Sequence, residues 1–359
     1  TSDVCSSDLG VADAFAANFT ERGEVGAAVC VYRDGVPVVD LWGGVADPQD
    51  GRAWARDTVV SFFSATKGVT AVCVSMLVGR GLLDPEMPVA EIWPEFAAAG
   101  KGAITIGQVC SHQAGLPYVE RDCTLAEALA WTPMVEALAT QAPIWEPGSA
   151  HGYHMRTYGW LVGEIVRRVD PAGRTPGAFV RDEIAVPLGL DLWIGLPESV
   201  EPRVARLVVP RESLRDALAA FGDSLLLGRV FSNPGGHFDY DDMWNTRELR
   251  ACELPSSNGI GDARSLARMQ AADGEGAHSL ITCQVSGARD DADARALARA
   301  VVQSSLVKAA FHGRDPNWGR IADALGNAQV TDAAILEAAG MPRSEEHTSE
   351  LQSLRHLVC

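Results

Sequence analysis

The longest apolar run in the 359-residue chain, Gly68 to Gly79, constrains its fold more than any other feature. As a helix it is too short to cross a hydrocarbon layer of about 30 Å. It therefore has to be enclosed in a soluble core. The rest of the chain can supply one: 47% of residues are hydrophobic and 21% charged, with 35 glycines and 19 prolines. That is an ordinary globular balance, which excludes collagen, coiled coil and wholesale disorder. At roughly 150 residues per domain, the length suggests two domains.

Acidic residues outnumber basic ones 47 to 30, for a net charge of −17. Such a field repels phosphate backbones, so nucleic acid is not an expected partner, and no basic amphipathic stretch points to an anionic membrane surface. The basic residues include only three lysines, at positions 67, 101 and 308, so a lysine inside a motif is informative. None of the eight cysteines forms CxxC, and Cys30 and Cys73 sit in apolar surroundings (AAVCVY and TAVCVSML). They read as buried, reduced thiols of a cytoplasmic protein rather than as a disulfide frame or a zinc site. No basic region followed by a hydrophobic one marks a signal peptide, and the absence of Met at position 1 reads as a missing 5′ end.

Residues 10 to 22 have a helical pattern, and AAVCVYRDGVPVVDLWGG reads as two strands joined at Asp34-Gly35. SFFSATKGVTAVCVSMLVGRGLLD comes next, predicting a helix over about residues 64–81 with Ser64 and Lys67 on one face, a turn apart. A serine hydroxyl is a weak nucleophile at neutral pH and needs an adjacent base, which a lysine provides if its charged form is disfavoured. The helix N-terminus and the apolar neighbours Phe62, Phe63 and Val69 both act in that direction. The backbone N–H of Ser64 suits an oxyanion hole. The spacing alone is weak evidence, because Ser305 and Lys308 repeat it in the body of an amphipathic helix, where nothing presents the hydroxyl. Ser64 differs through a downstream segment, APIWEPGSAHGYHMRTYGWLVGEIVRRV, which places Tyr153 in a Gly/Pro loop ahead of a long helix. A tyrosine near a cationic lysine can shuttle a proton from the serine to a leaving group.

Together VSFFSATKGVTA, ITIGQVCSHQAGLP, PGSAHGYHMRTYGWLVGEIV, VPLGLDLWIGLP and SSNGIGDARSLARM resemble the beta-lactamase-related serine hydrolases, which include class C beta-lactamases, DD-peptidases and family VIII carboxylesterases. The resemblance runs from about residue 10 to 272 and is nearest to the esterases. It implies an α/β (α+β) fold, an antiparallel sheet flanked by helices plus an all-helical region. It also implies Ser64 as acylating nucleophile, Lys67 as its partner and Tyr153 as general base and acid, with no cofactor and a small-molecule ester as substrate. Two departures stand out. Tyr153-His154-Met155 replaces Tyr-x-Asn, which favours esters over lactams. The family's third motif (Lys/His-Thr/Ser-Gly or Trp-Gly-Gly) does not occur after residue 153; Trp42-Gly43-Gly44 matches by letter but belongs to the first hairpin. The expected fold thus lacks its C-terminal strands and one oxyanion donor, typically worth about 10²- to 10³-fold in rate. His151 and His154 form HxxH without a third ligand at a metal-like spacing, so no metal is expected, and His112 reads as a loop-organising residue.

After residue 272 the sequence changes character. Asp273-Gly-Glu-Gly-Ala277 and Asp315-Pro-Asn-Trp-Gly-Arg320 resemble the bifunctional ornithine acetyltransferase/glutamate N-acetyltransferase of arginine biosynthesis. In that family Glu275 would contact substrate, but the threonine nucleophile has no counterpart here. The pattern predicts a strand over 280–285 and a helix over 291–310. No Pro/Gly/Ser-rich linker separates the two likenesses. The terminal stretches, 1–9 and 343–359, resemble translated sequencing adapter. The expected organisation is a tail (1–9), a truncated hydrolase (10–272), a small αβ transferase-like fragment (273–342) and a second tail (343–359). It predicts a chimeric reading frame with an unpaired sheet edge. The function expected first is ester hydrolysis through an acyl-enzyme. Beta-lactam or D-alanyl-D-alanine hydrolysis, the acetyltransferase activity, and a composite with no activity are the alternatives. Nothing in the sequence speaks to oligomeric state.

Overall fold

Val69, Cys73, Val74 and Leu77 of the apolar run lie in the main hydrophobic core of the described residues. The structure, a computed structural model, describes residues 9–33, 35–208, 229–231, 233–238 and 241–274. The strand and helix expected over 280–310, the Ser305/Lys308 pair, Glu275, Asp34, residues 1–8 of the first tail and all of the second lie outside the described residues.

The chain opens with α1 (Leu9–Glu21), then the antiparallel pair β1 (Gly26–Arg33) and β2 (Val36–Asp47), with β3 (Arg52–Ala53) on the far edge of β2. The hairpin register runs from Gly26 opposite Gly44 to Arg33 opposite Val36, with an irregularity between Val31 and Tyr32. Phe15 and Phe19 of α1 pack edge to face at 5.2 Å between centroids and lie over Gly43 and Gly44. Gly44 has a φ of +82°, and a Cβ there would fall 2.2 Å from the Val25 carbonyl oxygen. Trp42-Gly43-Gly44 is therefore a packing device of this hairpin.

Separate from this sheet, β4 (Val60–Ser61), β5 (Leu192–Trp193) and β6 (Ile260–Gly261) form a second antiparallel sheet in the order β4–β6–β5. The sequence anticipates one antiparallel sheet; the described residues form two of three strands each. Among those residues β1 is hydrogen-bonded to a strand on one edge only. A cleft of about 630 Å³ lies between the sheets, lined by Gly26, Ala27, Val45, Phe62 and Gly261 among others.

Helices make up the rest. α2 (Thr66–Gly79) buries Val69, Thr70, Cys73, Val74 and Leu77. The short helices α3 (Ile106–Cys110) and α4 (Leu125–Leu129) each start at a reciprocal capping box, Thr105 with Gln108 and Thr124 with Glu127. α5 (Trp131–Thr140) leads to the loop before α6 (Thr157–Val169), which packs on α2 and is buried from Thr157 through Val166. A Glu164 carboxylate inside that buried stretch would be costly alone. Burial pushes its pKa up, but Arg167, Trp131 and Arg168 donate to it and hold it below the usual range. Then come α7 (Pro176–Val180), α8 (Val186–Leu188), α9 (Arg247–Ala251) and α10 (Ala263–Gly274). α10 runs without a break through residues 272 and 273, where the sequence changes character.

Gly159 sets how closely α6 approaches the segment before β6: a Cβ there would meet the Ser256 backbone nitrogen at 2.7 Å. Gly159→Ala gains about 1 kcal/mol of helix propensity but overpacks a backbone contact, at about 1–3 kcal/mol. The net expectation is a lower urea midpoint with an unchanged slope. A midpoint equal to or above wild type would refute the close-approach explanation.

Candidate active site

Ser64 lies on a single 3₁₀ turn, Phe63–Ala65, and α2 begins after it at Thr66. The sequence expectation of a helix from residue 64 is corrected by the backbone of Phe63, whose φ of +44° interrupts the helical path. An aromatic residue in that region is uncommon and costs on the order of 1–3 kcal/mol. Its ring packs against Trp244 at 4.8 Å, and its carbonyl accepts from the Thr66 hydroxyl, two contacts that hold it there. The turn leaves the Ser64 N–H outside its backbone hydrogen bonds among the described residues, while Ala65 N–H bonds to the Phe62 carbonyl at 3.1 Å.

The segment preceding β6 is fastened to this turn. Phe62 N–H donates to the Gly259 carbonyl at 3.0 Å, Gly259 N–H to the Thr66 hydroxyl at 2.9 Å, and the Thr70 hydroxyl to the Pro255 carbonyl at 2.6 Å. Lys67 is thereby enclosed, with 6% of its surface exposed. Its Nζ donates to the carbonyls of Met155 at 2.8 Å and Ser256 at 2.9 Å, and lies 3.3 Å from Ser64 Oγ. Carbonyls only accept, so they claim two N–H bonds. The position directed at Ser64 Oγ is then a third N–H in the ammonium, or the lone pair in the neutral amine. Nζ also sits over the rings of Tyr153, 4.7 Å from the centroid, and Tyr158, at 5.9 Å. The three residues singled out in the sequence are thus brought together.

The histidines organise the loop carrying Tyr153. His154 is fully enclosed: Leu116 N–H donates to its Nε2 at 3.0 Å, and its Nδ1 bonds to the Gly152 carbonyl at 2.6 Å. The carbonyl can only accept, so Nδ1 carries the proton and both ring nitrogens are used. Burial pushes its pKa down to about 4. His112, at φ +63°, accepts from the His154 N–H at Nδ1 (3.1 Å) and packs against Tyr153 and Tyr158, each at 5.0 Å. Among the described residues, no three His, Cys, Asp or Glu side chains converge as a metal site, and no helix is long and apolar enough to cross a membrane. Cys73 is buried, as expected, whereas Cys30 is half-buried; burial pushes their thiols up to about 12 and 11. Lys101 is enclosed away from Ser64, bonding the carbonyls of Ala98 and Gln141, and burial pulls it down to about 8.

The carbonyls of Met155 and Ser256 are not visible in the sequence as functional groups. Every residue offers the same carbonyl, so side-chain identity carries no signal for them; Gly159 and the serine pair at 256 and 257 are the only local hint.

The beta-lactamase family model matches residues 11–319. The chain is a member of the beta-lactamase family. It is 38% identical over 270 residues to the esterase/beta-lactamase LipL of Mycobacterium tuberculosis, covering 73% of this chain and 61% of that protein. The chain thus spans about three-fifths of the length of that curated relative. Among solved structures it resembles a penicillin-binding protein homologue from Caulobacter crescentus, at 39% identity and a TM-score of 0.67 over 76% of this chain and 70% of that one. It also resembles a family VIII carboxylesterase, at 38% identity and a TM-score of 0.66 over 73% and 68%. A second likeness is to the arginine biosynthesis bifunctional protein ArgJ: 65% identity over 65 residues to the chloroplastic protein of Ostreococcus lucimarinus, covering 18% of this chain and 14% of that protein, and 58% over 214 residues to that of Parasynechococcus marenigrum, covering 55% and 49%. The chain thus carries the beta-lactamase family likeness over most of its length and an ArgJ likeness besides, so its composition is chimeric.

His154 ties this loop to pH. The unfolded chain protonates the imidazole below about 6.5, whereas the folded chain keeps it neutral down to about 4. The folded state then binds fewer protons, so stability is lost as pH falls through that window, by up to about 3 kcal/mol. Urea unfolding at pH 7, 6, 5 and 4 should show this slope, and His154→Gln should flatten it. Equal slopes in the two proteins would exclude His154 as the source.

Proposed function

We propose that the chain is a serine hydrolase that forms an acyl-enzyme on small carboxylic esters, with Ser64 as nucleophile and Lys67 and Tyr153 as proton carriers. The observation that carries this is the Ser64–Lys67 contact of 3.3 Å, with the amine oriented by two carbonyls that can only accept. Ser64 Oγ attacks the ester carbonyl carbon as its proton passes to Lys67. The Ser64 N–H donates to the developing oxyanion. Tyr153, whose ring Lys67 faces, relays the proton to the departing alkoxide, and water then hydrolyses the acyl-enzyme by the reverse proton path.

Esters are favoured over lactams because residue 155 is Met rather than Asn. Its side chain packs with Tyr118 and Val230, and its carbonyl is held by Lys67, so no amide is offered at that position. The likeness to a family VIII carboxylesterase supports the same choice.

A chimeric origin is the second part of the proposal. The esterase/beta-lactamase likeness covers 73% of the chain, and the ArgJ likeness at 65% identity covers 18%. No third-motif triplet occurs after residue 153. A hydrolase joined near residue 272 to a transferase segment accounts for both, and predicts turnover about 10²- to 10³-fold below a complete site. The transferase segment alone, lacking its threonine nucleophile, is not expected to acetylate.

A fluorophosphonate probe is expected to add to the full chain once, at Ser64, as read by intact mass and peptide mapping. Labelling that persists in Ser64→Ala would sink the assignment. Tyr153→Phe should slow p-nitrophenyl acetate hydrolysis by about 10²- to 10⁴-fold. For the chimera, amplification of source DNA across codons 265–280 should fail; a single uninterrupted genomic product would defeat it.

A further inference from the structure

Arg156 is the largest charged side chain enclosed beside the site, with 1% of its surface exposed, and the Ser64–Lys67–Tyr153 mechanism does not use it. Its guanidinium lies over the rings of Trp244, at 5.0 Å, and Phe238, at 5.4 Å. Its Nη1 donates to Ser257 Oγ at 2.9 Å. The Ser256 hydroxyl donates to the Arg156 carbonyl at 3.0 Å, and the two serine oxygens are 3.0 Å apart. Valence sets the directions. Guanidinium only donates, and the Ser256 proton is committed to the carbonyl, so Ser257 must donate to Ser256. The result is a closed circuit, from Arg156 Nη1 through Ser257 and Ser256 back to the Arg156 carbonyl.

This circuit sits directly behind Lys67. The Ser256 carbonyl and the carbonyl of Met155, the residue next to Arg156, are the two acceptors of Lys67 Nζ. Trp244, under the guanidinium, also packs against Phe63, whose left-handed backbone presents Ser64. One side chain therefore abuts the supports of both the nucleophile and its base.

We propose that Arg156 is a positioning residue that acts through Lys67: its circuit fixes the two carbonyls that aim the amine at Ser64, and its permanent buried charge disfavours the ammonium form. This deepens the Ser64–Lys67–Tyr153 reading and rests on it. A cation that stays protonated at every accessible pH, enclosed and linked to the amine through Ser257 and Ser256, raises the free energy of charging that amine. The other titratable groups facing Lys67 are Tyr153 and Tyr158 by their rings and His154 from the same loop, with His112 against both tyrosines. From the segment before β6 come Ser256, Ser257 and Asn258, and Asp262 beyond them is paired with Arg264.

The test uses the full chain labelled with ¹³Cε-lysine, in which only positions 67, 101 and 308 give signals; the Lys67 signal is assigned by its loss in Lys67→Met. In Arg156→Met the Lys67 titration midpoint should move up by about 1 pH unit, and the pH profile of Ser64 phosphonylation should move with it. Arg156→Gln provides a second neutral variant, and Arg156→Lys should restore the wild-type profile. Ser257→Ala opens the circuit but keeps the charge, and should slow phosphonylation about tenfold. A purely structural arginine would lower the melting temperature and leave both midpoints in place, which overturns the proposal; so would an unchanged rate in Ser257→Ala. The two readings fail separately. Wild type that is not labelled at Ser64 refutes the hydrolase assignment, while a shifted Lys67 midpoint in the same samples still upholds the coupling to Arg156.

Discussion

A nearly enclosed amine, held by two backbone carbonyls, is the interaction around which this structure is organised. A lysine taken out of water has to find acceptors or lose its charge, since an unpaired buried ammonium costs several kcal/mol. Lys67 finds them in Met155 and Ser256, from parts of the chain a hundred residues apart. Satisfying the amine therefore requires α2, the loop before α6 and the segment before β6 to meet at one point. The same requirement aims the remaining position on Nζ at Ser64.

Each segment is held at that point by a different device. The nucleophile turn depends on a left-handed Phe63 braced by Trp244. α6 comes close enough because Gly159 has no side chain to strike the Ser256 backbone. The tyrosine loop is pinned by His154, which spends both ring nitrogens on backbone N–H and carbonyl groups, and by His112, whose Nδ1 accepts from the His154 N–H. Loops that carry chemistry need such fixtures because they lack the repeating hydrogen bonds of helix and strand.

Much of this is legible in the sequence. The hairpin is encoded by two apolar segments joined at Asp34-Gly35, and the enclosure of α2 by a run too apolar for a surface and too short for a bilayer. Ser64, Lys67 and Tyr153 stand out because each residue type, in its local context, suits nucleophilic chemistry. The helix starts later than its apolar pattern suggests because Phe63 leaves the helical region through contacts with a residue far along the chain, which no local propensity encodes. The single sheet anticipated from the family likeness is two short sheets among the described residues, with β1 open on one edge.

Residue identity and spacing are linear properties, so the chain's candidate chemical groups, its beta-lactamase family likeness and its second, ArgJ-like stretch can all be read from the sequence. How the lysine is aimed, and what stands behind it, emerges only on folding. Its acceptors are backbone carbonyls common to every residue, and Arg156 becomes relevant only where Ser256 and Ser257 fold back upon it. Hydrogen-bond direction and burial arise from the meeting of distant segments, so they exist only in three dimensions.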